Sequence, residues 1–318
     1  MIRRLRSVAA LGAVLGALLL GTAEARAWGA EAHRAIALIA DRVLQQSDAA
    51  AHRKVHELLA ADKNNGFTKN DIASEATWAD VLRDKSEEAR YATVLWHAVR
   101  LNAANPDLTT ACHGRSPLPV GYPASHGPRD NCAVDKVEQF VAELQNPETS
   151  SGERIAALRF LLNLVADLND PLLTIDRGDR GGQCVALQVG AAKAPVRLVT
   201  YWENTLVGEV IGRDPQKAAA RIVSELKPED VQKWAANTPQ SWAEESYEAA
   251  KSVVYAFAGE PPAGKFAFPA AQGEKDPCGE VDVYRAGPEY ETSNLAAIKQ
   301  LLARAGVRLA IVLRDNFK

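Results

Sequence analysis

Along most of the chain, apolar residues recur at spacings of three and four, which is the periodicity of amphipathic α-helices. Asp214-Pro215 and Thr238-Pro239 mark two helix starts, because a capping residue there precedes a proline suited to the first helical turn. The pattern predicts helices over residues 30–45, 49–61, 134–144, 153–168, 215–226, 239–258 and 295–313.

Three stretches interrupt this helical pattern. Residues 183–200 predict a short β-hairpin around Gly190, whereas 106–128 and 261–287 are expected to be irregular because they are rich in proline and glycine. No segment repeats with a period of about 20–50 residues, and no change in composition marks a domain boundary. The sequence therefore predicts an all-α protein in which residues 28–318 form a single helical domain with a short β-hairpin.

Composition narrows the class of protein. Of the 318 residues, 47% are apolar and 24% charged, which excludes an intrinsically disordered chain. The formal net charge of −3 also excludes the broad basic surface typical of proteins that bind duplex DNA.

The N-terminal segment has the features of a secretory signal peptide. Three arginines precede an apolar run over residues 8–20, and Ala25-Arg26-Ala27 forms a cleavage site of the small-x-small type. The alternative is a membrane anchor, but the run is short for a span. We expect cleavage to remove residues 1–27, so that an exported protein, periplasmic or secreted, begins at Trp28.

Four cysteines fit this export, because oxidising compartments preserve disulfides. Cys112 and Cys132 bracket a loop rich in proline and glycine and are the preferred pair. Cys184 and Cys278 would then pair by elimination. Four cysteines allow three connectivities, so the other pairings remain open.

Candidate chemistry lies in several short segments. Asp167 stands near the end of an apolar helix, where a carboxylate is costly unless it is paired or bound to a metal, and Asn163 shares its helical face. Asp80 and Arg83 are one turn apart and could be an ordinary ion pair. His97 could be an ordinary core histidine.

The predicted new N-terminus adds a further candidate. A free α-amine has an ordinary pKa near 7.7–8.0, so a metal can displace its proton close to neutral pH. His33 follows Trp28 closely enough to share a metal with that amine. A lone histidine at this place is more often structural.

Taken in order, these segments resemble the zinc-dependent, single-strand-specific nucleases of the S1/P1 type, which share a fold with zinc-dependent phospholipase C. The motif Asp179-Arg180-Gly181-Gly182-Gln183 adds to the likeness, which covers essentially the whole chain after residue 27. The resemblance implies a mainly helical fold, a cluster of three zinc ions and hydrolysis of phosphodiester bonds in single-stranded nucleic acid or nucleotides.

The resemblance also implies roles for individual residues. One zinc would take the amine and carbonyl of Trp28, together with His33 and a bridging Asp167. A second would take the same aspartate and the side chains at three further positions, which here are Asp80, His97 and Asn163. Arg83 would stabilise charge on the phosphoryl group in the transition state.

The sequence departs from the family pattern at the third zinc. Leu173 and Val199 stand where two histidine ligands are expected, and Glu203 replaces an aspartate. Asn163 stands in place of a histidine at the second zinc, and Arg100 replaces an acidic residue. Two functions remain open: an exported phosphodiesterase with a reduced, two-zinc site, or an inactive pseudo-nuclease that serves as a binding or structural module.

Overall fold

The computed structural model describes residues 28–62, 65–269 and 275–317. The predicted signal segment therefore lies outside the described residues. Within them the chain is mainly helical, as the periodicity predicts. Its α-helices are α1 (Ala30–Ser47), α2 (Ala49–Ala61), α3 (Ile72–Glu75), α4 (Trp78–Lys85), α5 (Glu87–Thr93), α6 (Leu108–Ala111), α7 (Ala133–Gln145), α8 (Ser151–Asp167), α9 (Pro171–Thr174), α10 (Val207–Ile211), α11 (Pro215–Ser224), α12 (Pro228–Ala235), α13 (Pro239–Ala249) and α14 (Pro288–Asn316).

Shorter helical turns complete this framework. The 3₁₀ turns are Val94–His97, Ala124–His126 and Ala256–Gly259, and the π-helical turns are Thr200–Leu206 and Ala250–Val254. The predicted helix over 239–258 is therefore α13 followed by a π turn and a 3₁₀ turn. The last helix begins at Pro288, seven residues before the predicted start, because its polar first turns hide its periodicity.

The predicted hairpin is present and belongs to a larger sheet. Strands β3 (Ala186–Val189) and β4 (Val196–Arg197) are antiparallel. However, β5 (Gly264–Ala267) and β6 (Glu280–Ala286) extend the sheet in the order β4-β3-β6-β5, with β6 parallel to β3. The expectation that 261–287 is irregular was therefore wrong for these two strands. A separate two-stranded pair joins β1 (Leu101–Asn102) to β2 (Ile175–Asp176).

Both preferred disulfides are present. Cys112–Cys132 joins the end of α6 to the start of α7 and closes the proline-rich loop between them. Cys184–Cys278 joins the segments that precede β3 and β6, beside a small apolar cluster that includes Val281 and Val283. No helix among the described residues combines the length and apolar character needed to cross a membrane.

Helix α8 lies at the centre of the main apolar core, and it packs against α1 and α14, which also pack against each other. Every residue of α8 from Ala157 to Asp167 is buried, so this helix carries its polar side chains into the interior. The helices α1 and α14 approach closely at Gly306, where an added Cβ would lie 2.3 Å from a side-chain atom of Ile39. Glycine is therefore needed at this crossing.

Candidate metal centre

The C-terminal half of α8 places two polar side chains at the centre of the protein. Asn163 and Asp167 are one helical turn apart and at most 1% exposed. Around them lie His33 from the first turn of α1, Asp80 from the first turn of α4 and His97 from the 3₁₀ turn after α5. We call these five residues the inner site.

Asp167 lies between the two histidines of the inner site. His33 Nε2 is 3.4 Å from Asp167 Oδ1, and His97 Nδ1 is 2.8 Å from Asp167 Oδ2. Each carboxylate oxygen therefore faces a different imidazole, which is the arrangement that a bridging carboxylate requires.

Asp80 also lies near both histidines of the inner site. Its Oδ2 is 3.6 Å from His33 Nε2, and its Oδ1 is 4.0 Å from His97 Nδ1 and 2.9 Å from Arg83 Nη2. Asn163 Nδ2 donates to Asp80 Oδ2 at 3.1 Å and to the Ala76 carbonyl at 3.0 Å. The structure thus brings all the side chains that were predicted to act into one place.

Several atoms of the inner site are buried without a hydrogen-bond partner among the described residues. They are His33 Nε2, His97 Nε2, Asn163 Oδ1 and Asp167 Oδ1. Asp80 Oδ1 has no hydrogen bond either, but it forms an ion pair with Arg83 Nη2. Burying a polar atom without a partner costs about 1–3 kcal/mol. A bound cation would satisfy nitrogen and oxygen atoms of this kind, so the residue types of the inner site fit the zinc that the family resemblance implies.

Burial controls protonation in the inner site. It raises the pKa of Asp167 to about 8 and lowers the pKa of His97 to about 4. Burial also opposes ionisation of Asp80, but the neighbouring His33 and His97 and the Arg83 guanidinium outweigh it, so the pKa of Asp80 is lowered. Burial therefore favours the uncharged forms of both Asp167 and His97.

Trp28 is held beside this site by three contacts. Its backbone N donates to Asp170 Oδ2 at 2.9 Å, and its indole donates to the Ala166 carbonyl at 3.0 Å. Its ring lies 5.2 Å from the ring of Trp202. The nitrogen that cleavage would free is therefore fixed against Asp170, three residues beyond Asp167.

Asp170 was not identified from the sequence, because an aspartate before a proline is typical of a helix cap. It does cap α9, but it is also fully buried, and burial raises its pKa to about 7. Glu203 lies close to it, and burial together with the charges of Asp170 and Asp167 raises the pKa of Glu203 well above its usual range.

The three positions where the third zinc is expected, Leu173, Val199 and Glu203, are here called the outer site. All three side chains are buried. Val199 belongs to the main apolar core, whereas Leu173 is the one buried apolar side chain of the described residues that belongs to neither apolar cluster.

Arg100 supplies positive charge near the outer site and favours the ionised forms of Asp170 and Glu203 by lowering their pKa values against burial. The Asp-Arg-Gly-Gly turn lies directly against it. A Cβ added at Gly181 would be 3.0 Å from Arg100 Nη1 and 3.1 Å from the Leu172 carbonyl oxygen. Glycine at this position therefore leaves room for the guanidinium.

Comparison with known proteins shows similarity over most of the chain. The model of the S1/P1 Nuclease family matches residues 28–318. Among curated proteins of Arabidopsis thaliana, Endonuclease 2 is 23% identical over 305 residues, 94% of each chain. Endonuclease 1 is 23% identical over 98% of this chain and 94% of its own, and Endonuclease 4 is 22% identical over 91% and 89%.

Proposed function

Because this chain belongs to the S1/P1 nuclease family, we propose that it is an exported phosphodiesterase acting on single-stranded nucleic acid or nucleotides through a two-zinc inner site. The observation that carries this proposal is the convergence of His33, Asp80, His97 and Asp167 around buried atoms without hydrogen-bond partners.

The spacing of these atoms suits zinc. Tetrahedral zinc with bonds of about 2.0–2.2 Å holds its ligand atoms about 3.3–3.6 Å apart. The 3.4 Å separation of His33 Nε2 from Asp167 Oδ1, two atoms that share one zinc in this proposal, agrees with this value. His97 Nδ1, which belongs to the other zinc, is 2.8 Å from Asp167 Oδ2 and 4.0 Å from Asp80 Oδ1, on either side of it. In this proposal Asp167 is the shared ligand, Trp28 and His33 complete one zinc, and Asp80, His97 and Asn163 complete the other.

Bound zinc would supply an activated water and stabilise negative charge on the phosphoryl oxygens. The chain itself positions the other charges. Arg83 is held at 2.9 Å by Asp80 and its side chain is 14% exposed, so it can point a hydrogen-bond donor at a phosphoryl group while its position stays fixed. Asp167 fixes the positions of the two histidines, because each of its carboxylate oxygens faces one imidazole.

The outer site does not fit a third zinc. Leu173 and Val199 have no lone pairs to donate, and Glu203 alone does not supply the three protein ligands that a catalytic zinc normally takes. In this proposal Arg100 partly replaces the missing dication as a fixed positive charge near Asp170 and Glu203. Losing one electrostatic stabiliser typically lowers a rate by about 10²–10³.

Export would explain the disulfides, and the cleavage that accompanies it would supply a ligand to the inner site. After cleavage before Trp28, its nitrogen would be an amine rather than an amide and could bind a metal. Before cleavage the same nitrogen is a peptide N–H that donates to Asp170. The proposal therefore makes the uncleaved precursor deficient in metal.

The second candidate is a pseudo-nuclease that binds a partner without hydrolysis, which the loss of imidazoles at Leu173 and Val199 favours. Metal content and hydrolysis of a single-stranded oligonucleotide by the purified mature protein distinguish the two. In the inner site of the wild type we expect about two zinc ions, together with slow hydrolysis. Asp167→Asn should lose the inner-site zinc and the hydrolysis, whereas the control Asp282→Asn, at a half-buried carboxylate that pairs with Lys265, should keep them. Two ions without hydrolysis would favour the second candidate, and a metal-free wild type would refute the zinc centre.

A further inference from the structure

A second group of metal-ligating side chains lies away from the inner site, between α1 and α2. His52 and His56 are four residues apart and therefore on one face of α2. Their Nε2 atoms lie 3.0 and 2.6 Å from a single atom, Asp41 Oδ1 of α1. The two imidazole rings are 4.4 Å apart between centroids.

Hydrogen bonds alone do not satisfy these three side chains well. Two ring nitrogens converge on one carboxylate oxygen, and full protonation of both rings would place two positive charges side by side. A single dication would satisfy both nitrogens and the oxygen at once.

We propose that Asp41, His52 and His56 form an additional metal site that binds a zinc-like transition-metal dication. The three ligand atoms lie within 4.8 Å of one another. Opening the contacts of 2.6 and 3.0 Å to the spacing of tetrahedral zinc ligands, about 3.3–3.6 Å, requires only small side-chain rotations. Two imidazoles and one carboxylate favour zinc, nickel or copper over magnesium or calcium, which prefer oxygen ligands.

The site is accessible from solvent. The side chains of Asp41, His52 and His56 are 22%, 17% and 40% exposed. Three protein ligands leave a fourth position for water or for a group from a partner molecule. Asp41 follows His33 by eight residues in α1, which corresponds to about 12 Å along the helix, so this site is separate from the inner site.

Such an ion would connect α1 to α2 across the turn at Asp48. It would stabilise the folded chain in proportion to its occupancy, since a ligand that binds only the folded state shifts the folding equilibrium. The proposal does not depend on nuclease activity, because its ligands are not shared with the inner site.

The test uses the mature protein with Asp167→Asn, so that the inner site does not dominate the zinc count. In this background we compare His52→Gln plus His56→Gln with His126→Gln, a matched change at an exposed histidine on a 3₁₀ turn. After removal of metal, the proteins are titrated with zinc, and bound zinc and melting temperature are measured. We expect the background and the control to bind one ion and melt at a higher temperature with zinc. The double variant should do neither.

Equal zinc binding by the double variant and the control would overturn the proposal, as would the absence of zinc binding by the background protein. If the double variant does not fold, Asp41→Asn replaces it, since this change keeps the side-chain shape and removes the anionic ligand. A folded Asp41→Asn protein with unchanged zinc affinity would overturn the proposal equally.

Discussion

Rebuilding the outer site is the sharpest test of how this chain departs from its family. The change combines Leu173→His, Val199→His and Glu203→Asp, with Asn163→His added for the inner site. If the two segments occupy the places of the family's ligands, the variant should bind more zinc than the wild type and hydrolyse single-stranded nucleic acid faster. Restoring one electrostatic stabiliser should raise the rate by about 10²–10³.

The stability cost can be worked from burial. Leu173 and Val199 are 9% and 3% exposed, so each new imidazole enters a place with little access to water. An unpaired buried polar group costs about 1–3 kcal/mol, which gives about 2–6 kcal/mol for the two without metal. Asn163→His also removes donors to Asp80 and to the Ala76 carbonyl. Domains of this kind have about 5–15 kcal/mol in total, so the metal-free variant should be marginally stable.

Zinc should reverse most of this loss. Metal at 100 times its dissociation constant stabilises the folded state by about 2.7 kcal/mol, and at 1,000 times by about 4.1 kcal/mol. The assay therefore combines zinc stoichiometry, the melting temperature with and without chelator, and the rate on a single-stranded oligonucleotide. The matched control carries Gln at 173 and 199, which is polar and of similar size but a poor zinc ligand. A folded quadruple variant with the wild-type zinc content would refute our placement of both segments.

Three further outcomes are expected. N-terminal sequencing of exported protein should find Trp28 first; any other start would contradict the amine ligand. His33→Ala and His97→Ala should each lose mainly one zinc, as metal analysis of the two proteins would reveal, and loss of both ions from either would argue against two separately held metals. Burial lowers the pKa of Lys136 to about 7 in the folded state, against 10.5 as its ordinary value. The unfolded chain then binds more protons between these values, so urea denaturation should show stability rising with pH in that window. Lys136→Met should remove this rise; an unchanged pH profile would mean that the buried amine keeps its ordinary pKa.

The sequence predicted the bounds of helices whose ends are marked by nearby residues, such as a capping side chain. Helix α2 has the predicted bounds because Asp48 caps it, accepting from the N–H groups of Ala50 and Ala51. By contrast, β6 was missed because its pairing partner β3 lies far away in the chain, and strand formation there depends on that long-range contact. Proline and glycine around β6 were correctly seen as turn formers but hid the strand between them.

The candidate site was predictable only in part, for a related reason. The order of segments in the chain predicted which residues would form the inner site, and in the structure these residues lie close together. Asp170 was missed because its local role as a cap conceals its contact with Trp28, which is 142 residues away in sequence. The spacing of His52 and His56 was a readable signal for a metal pair, but their shared partner Asp41 lies on another helix.

The outer and inner sites differ in whether their folded state requires a metal for stability. At the outer site, Leu173 and Val199 stand in place of two histidines, so these positions carry no buried nitrogen without a hydrogen-bond partner. The inner site keeps four buried atoms without hydrogen-bond partners among the described residues, and an unsatisfied buried polar atom costs about 1–3 kcal/mol. A proton on Asp167 relieves part of this cost, because burial raises its pKa to about 8, but it leaves both Nε2 atoms without partners. A chain that had abandoned metal altogether would gain stability by making the inner site apolar as well. Since it has not done so, we infer that the inner site is stabilised by a bound cation, whether or not hydrolysis follows.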